Sequence, residues 1–145
     1  MRVFLALFLL LATTATAVAQ KSPKQLSEKF LSSMSKNPGE AMAALYYHNP
    51  DYMDLNAEDY EQKQAKVIEE VGHLGEPAGY ELLSEAKRGT SLLKLTYIAK
   101  FHRSPAVASF TWYNVNEKWI MLDMKLDSRP LAIQHLFEQQ DGASK

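Results

Sequence analysis

Cysteine is absent from this chain. That removes disulfides, thiol nucleophiles, thiolate-held zinc and lipid attachment to a cysteine. Asn-x-Ser/Thr triplets are missing too, so N-glycosylation has no acceptor. An excess of positive charge is also lacking, since 16 Lys and Arg stand against 17 Asp and Glu. A near-neutral chain has little with which to neutralise phosphates, and nucleic-acid binding is not expected. No polybasic amphipathic stretch occurs, which speaks against attachment to a membrane surface. Gly-rich phosphate loops, Gly-x-Ser-x-Gly elbows and paired-glutamate motifs are absent from the sequence.

What the chain does have is an apolar start. Met1-Arg2 supplies a positive charge, and Val3 to Ala12 is an unbroken apolar run. Ala17-Val18-Ala19 then offers the small-x-small pattern of a signal-peptidase site. The run is too short to span a hydrocarbon core of roughly 30 Å as a helix. Residues 1–19 therefore read as a secretory signal peptide cleaved after Ala19, with no membrane anchor left behind. Cleavage leaves 126 of 145 residues, and loss of Arg2 takes the formal charge from −1 to −2. That length suits a single domain, expected over residues 20–140, with a disordered tail over 141–145. An exported chain without cysteines or glycosylation sites points to a bacterial periplasmic or secreted protein.

Hydrophobic period divides the remainder into helices followed by strands. Ser22, Pro23 and Gln25 make a helix start with a capping box, and Leu26, Phe30, Leu31 and Met34 follow as its apolar stripe. A second helix is predicted from Glu40 to His48 and a third from Ala57 to Val71, capped by Asn56, with a loop between them. After Gly79 the period becomes two. Four strands are predicted at Tyr80–Lys87, Leu92–His102, Ala106–Asn114 and Lys118–Asp127, joined by hairpin-length gaps. A short helix is predicted from Pro130 to Gln140. The fold class is α+β: N-terminal helices packed on a four-stranded antiparallel meander, then a short C-terminal helix.

Alternation assigns the two sheet faces. Leu93, Leu95, Tyr97, Ala99 and Phe101, then Ala106, Ala108, Phe110 and Trp112, then Ile120, Leu122, Met124 and Leu126 are assigned to the helix-covered core. The other face carries Lys94, Thr96, Ile98, Lys100 and His102, then Val107, Ser109, Thr111 and Tyr113, then Trp119, Met121, Asp123 and Lys125. A solvated face is mostly polar, and this one is not. Two readings follow. Either the C-terminal segment lies over it, or Ile98, Tyr113, Trp119 and Met121 form a partner surface, with two sheets packing face to face in a homodimer.

The helices, the Leu74-Gly75-Glu76-Pro77 turn and the meander whose last strand begins Lys118-Trp119 resemble nuclear-transport-factor-2-like and cystatin-like domains. They look most like the small exported bacterial families of that architecture. The resemblance covers Gln25 to Asp127. It implies dimerisation through the open sheet face and a pocket between helices and sheet, and fold alone assigns no activity.

The densest group of acid–base side chains is His48, Asp51 and Asp54, with Glu58 and Asp59 following. A histidine beside a carboxylate is the material of a general acid–base pair. The spacing matches neither an EF-hand loop nor a zinc-binding helix, so no metal and no cofactor are expected. His73 reads as a complement to a helix C-terminus, His102 and His135 as surface residues. The expectation is an exported, soluble, non-enzymatic module that binds a protein or itself. Two alternatives are a carrier of small apolar ligands and a small enzyme using His48 with Asp51 or Asp54.

Overall fold

A capping side chain followed at once by proline starts each of the first three helices. The computed structural model describes residues 21–141. The expected signal peptide and the last four residues of the expected tail lie outside the described residues. The elements are α1 (Pro23–Ser33), α2 (Pro38–Tyr46), α3 (Pro50–Leu55), α4 (Ala57–Leu74), β1 (Pro77–Arg88), β2 (Leu92–Phe101), β3 (Ala106–Val115), β4 (Lys118–Asp127) and α5 (Pro130–Asp141). Ser22 Oγ accepts from the Gln25 amide at 3.2 Å while Gln25 Oε1 accepts from the Ser22 amide at 3.0 Å. Asn37 and Asn49 accept in the same way from Glu40 and Tyr52. Proline lacks the N–H that a first turn leaves unpaired, so it suits this position. The segment expected to be a loop after His48 is therefore helical, because Asn49-Pro50 repeats the start signal used twice before.

The strands form one antiparallel sheet in the order β1-β2-β3-β4, and the domain is α+β with helices first. Helices α1, α2 and α4 supply the buried side chains that cover one sheet face. Phe30 meets Phe110 edge-on at 5.7 Å, and Trp112 Nε1 donates to the buried Ser27 hydroxyl at 3.2 Å. The expected core residues of β2 and β3 are all buried. At the α4–β1 junction Gly75 has φ +83, and a Cβ there would sit 3.1 Å from Arg103 Cγ. The close approach lets the Arg103 amide donate to the Leu74 carbonyl.

The β4 assignment needs correction. Trp112 faces Met121 while Thr111 faces Asp123, so Leu122 is an extra residue, a β-bulge. One extra residue reverses which side chains point inward upstream of it. Met121, expected on the open face, is 0% exposed, whereas Leu122, expected in the core, is 38% exposed. Trp119 also packs against the core. Ile120 pairs with Tyr113 on the outer face. Downstream of the bulge Met124 is buried as expected.

Helix α5 lies across the outer face, where Ile133 and Leu136 line grooves with Thr96, Ile98 and Val107. Helices thus cover both faces, one fully and one in part. Edge strand β1 carries a second bulge at Leu83 and the charges of Glu81, Glu85, Lys87 and Arg88, which discourage pairing with another strand. The β3–β4 hairpin turns through Asn116 (φ 50) and Glu117 (φ 63). Asparagine tolerates that conformation; glutamate is strained by it.

Two stability outcomes follow. In chemical denaturation Met121→Ala lowers stability by about 2–5 kcal/mol, whereas Leu122→Ala costs under about 1 kcal/mol; the reverse order would restore the unbulged register. Glu117→Gly raises stability by about 1 kcal/mol, because glycine enters the left-handed region without a Cβ clash.

Candidate functional site

His48 is the one member of the expected acid–base group that lies in a concavity. It follows the end of α2 and lines a groove of about 560 Å³ between α1 and α2. Among the described residues no hydrogen bond or ion pair joins it to Asp51 or Asp54. Neither carboxylate lines the groove, and both are exposed. Asp51 lies in the first turn of α3, where a carboxylate complements the helix dipole. No group of three or more His, Asp or Glu placed to hold a metal occurs among the described residues. The acid–base pair read from the sequence is thus separated by the helix that Asn49-Pro50 initiates.

The groove itself was not foreseen. From α1 it takes Leu26, Lys29, Phe30 and Ser33, and from the facing side Ala41, Ala44, Leu45 and His48. Each set runs at i, i+3, i+4 and i+7, the spacing of one helix face. That double register was legible in the sequence, but only pairing α1 with α2 shows that the two stripes meet. Lys21 stands at the same end as His48. Burial, and secondarily the Lys21 ammonium, hold the His48 imidazole below its usual value of 6.5.

A second polar cluster joins the helices to β4. Lys63 Nζ donates to Asp123 Oδ1 at 3.0 Å and to Tyr52 Oη at 3.0 Å, and pairs with Asp59 at 3.3 Å. The ammonium also lies 5.2 Å from the centre of the Tyr52 ring. Tyr46 stacks on Tyr52 and meets Tyr60 edge-on, at 5.2 and 5.4 Å. Burial alone would lower the Lys63 pKa, but the Asp123 hydrogen bond and the surrounding negative potential leave it raised. Tyr46 is pushed up to about 12, chiefly by burial. A lysine held protonated and a tyrosine held neutral supply neither nucleophile nor base at neutral pH. This cluster fastens α3 and α4 to the edge strand. Asp123 is too far along the chain from Lys63 for any local pattern to have paired them.

The space between helices and sheet, where a ligand pocket was expected, is filled by Met34, Met42, Tyr46, Tyr97, Phe110 and Trp112, all buried. The outer face keeps a groove of about 430 Å³ between α5 and the first two strands. It is lined by Leu83, Ser84, Thr96, Ile98, Ile133, Leu136 and Phe137, with no charged side chain. Of the four expected interface residues, Ile98 borders this groove and Tyr113 is exposed on the same face. Trp119 and Met121 belong to the helix side, for the reason the bulge gives.

Comparison with protein-family models, with curated proteins and with solved structures finds no match to this chain. The reading of function rests on these surfaces.

The His48 environment has a measurable sign. Its pKa is depressed in the fold and 6.5 when unfolded, so below pH 6.5 the unfolded chain takes up a proton that the folded chain resists. Stability is insensitive to this group well above pH 6.5 and falls as pH drops through 6.5 toward the folded value. An NMR titration should place the His48 midpoint below 6.5. Lys21→Ala should raise it part of the way, because burial remains; a midpoint unmoved by that change would disprove the contact.

Proposed function

We propose that this chain is an exported, non-enzymatic interaction domain that packs against a second copy of itself through the outer sheet face and α5. The observation that carries this reading is that six of the ten exposed large apolar side chains among the described residues lie on this face. Leu83, Leu92, Tyr113 and Leu122 come from the strands and Leu131 and Phe137 from α5, with Phe137 68% exposed. Exposed apolar side chains gathered on one face mark a contact site. Half-buried Ile98 and Ile133 give it a groove that a protruding aromatic such as Phe137 fits.

Three features favour a second copy over edge-to-edge pairing or an ion-rich partner. The β1 edge is bulged and charged, so self-association by strand addition is disfavoured. Ionic groups around the groove carry both signs, and two pairs close within the chain: Lys100 with Glu81 at 2.9 Å, Arg129 with Asp127. A two-fold contact presents the same patch twice, which suits a groove and an exposed aromatic side by side. No helix among the described residues is long and apolar enough to cross a membrane. Delivery to the periplasm or the medium rests on the leader at residues 1–19, and the element order fits the resemblance to nuclear-transport-factor-2-like domains.

Sedimentation equilibrium of the processed protein tests the reading. We expect reversible dimers at micromolar concentration and an N-terminus at Gln20. Phe137→Asp or Ile98→Asp should weaken dimerisation at least about tenfold, as hot-spot losses above 1.4 kcal/mol do. Trp119→Phe, on the other side of the sheet, should leave it unchanged. A wild-type chain that stays monomeric at several hundred micromolar removes the dimer.

A further inference from the structure

We propose that the groove between α1 and α2 binds a free, single-chain amphipathic anion, a long-chain carboxylate, with its alkyl chain over Leu26, Phe30 and Leu45, against Ala44 and Tyr47, and its head group beside Lys21 and His48. This site lies apart from the outer face and does not depend on self-association.

Three observations point to that occupant. First, apart from the Tyr47 phenol the ionisable side chains in the lining are Lys21, Lys29 and His48, and no carboxylate is among them, in a chain of net charge −1. A concave, single-sign lining selects an anion. Second, the lining is apolar apart from its cations and Ser33: Leu26, Phe30 and Leu45 are packed beneath it and Ala43, Ala44 and Tyr47 are exposed along it, so the ligand need not order the floor. Third, the dimensions suit one alkyl chain. The volume, about 560 Å³, falls within the range of small-molecule sites. The α2 wall has nine residues, about 13 Å at the helical rise. Tyr47, 77% exposed, stands at the rim and can close over the chain.

His48 gives the site a proton linkage. Lys21 is the charged group that acts on it and the Tyr47 ring lies 6.0 Å away, while Lys29 lines the same groove. Burial opposes protonation of His48 first and the Lys21 ammonium second. A carboxylate bound beside the ring supplies a negative partner to both side chains, so the imidazole takes up a proton as ligand binds and then donates from both nitrogens.

The test uses chain exported with its leader, purified from the envelope or medium and stripped of lipid. Dodecanoate below its self-association concentration is titrated by NMR and calorimetry, in parallel with dodecyltrimethylammonium. Saturable one-to-one binding is expected, with shifts at Leu26, Phe30, Leu45 and His48. Affinity should be at least about tenfold higher for the carboxylate than for the ammonium, and higher at pH 5.5 than at pH 7.5. The double change Lys21→Glu, Lys29→Glu should abolish that preference, and Ala44→Phe, which fills the groove, should abolish binding; thermal melts confirm that both variants fold. Phe137→Asp should leave dodecanoate binding unchanged. Equal affinity for the two amphiphiles, shifts at Ile133 and Phe137 instead, or binding to anionic vesicles without binding to the monomeric carboxylate would each overturn the proposal.

Discussion

Trp112 is the residue on which the rest of the architecture turns. Its ring is fully buried in the middle of β3, and its indole nitrogen donates to Ser27 on α1. A buried donor of that size needs a partner, and a serine hydroxyl within a helix otherwise apolar on this side is the partner supplied. The bond fixes how α1 lies on the sheet. Across the ladder Trp112 opposes Met121, immediately before the bulge. The flexible thioether fills the space beside the indole, where the branched Leu122 is instead turned out. Helix placement and strand register are thus joined at one side chain.

Helices before strands, the bounds of β2, β3 and β4 to within a residue, and two of the three alternating strands were legible in the sequence because each depends on local chemistry. Ser22-Pro23, Asn37-Pro38 and the period-two runs of β2 and β3 act over a few residues. The same logic applied to Asn49-Pro50 yields α3, which a count of apolar spacings alone passes over as too short. The bulge was not legible. Ile120, Leu122, Met124 and Leu126 alternate as well as Trp119, Met121 and Asp123 do, and nothing local says which set faces the core. The choice is made across the ladder by Trp112, and by the pull of Lys63 on Asp123 from α4. Both are long-range contacts, the kind a single sequence hides.

The candidate sites divide in the same way. His48, Asp51 and Asp54 are close in sequence, and the start of a new helix at Pro50 takes the two carboxylates away from the groove in which His48 sits. Sequence proximity overstated their association. Conversely, Lys21, Lys29 and His48 are spread along the chain and line one groove only because α1 packs against α2. Of the outer-face residues, Ile98 and Tyr113 were placed correctly because β2 and β3 pair without a bulge between them.

A sheet with apolar side chains on both faces must cover both, and this chain does so unequally. Helices α1, α2 and α4 bury the inner face under a continuous aromatic layer, while α5 leaves Leu131 and Phe137 in solvent. The unequal cover separates two surfaces by the thickness of the core. Phe30 lines the inner groove and touches Phe110, whose strand neighbours bear the outer face. Communication between the surfaces would have to move that ring pair. Close-packed interiors resist such displacement unless an alternative packing exists. The neighbouring Trp112–Ser27 bond leaves α1 no second register to occupy without stranding a buried donor. Groove and outer face should therefore act independently, with double variants across the two surfaces showing additive effects.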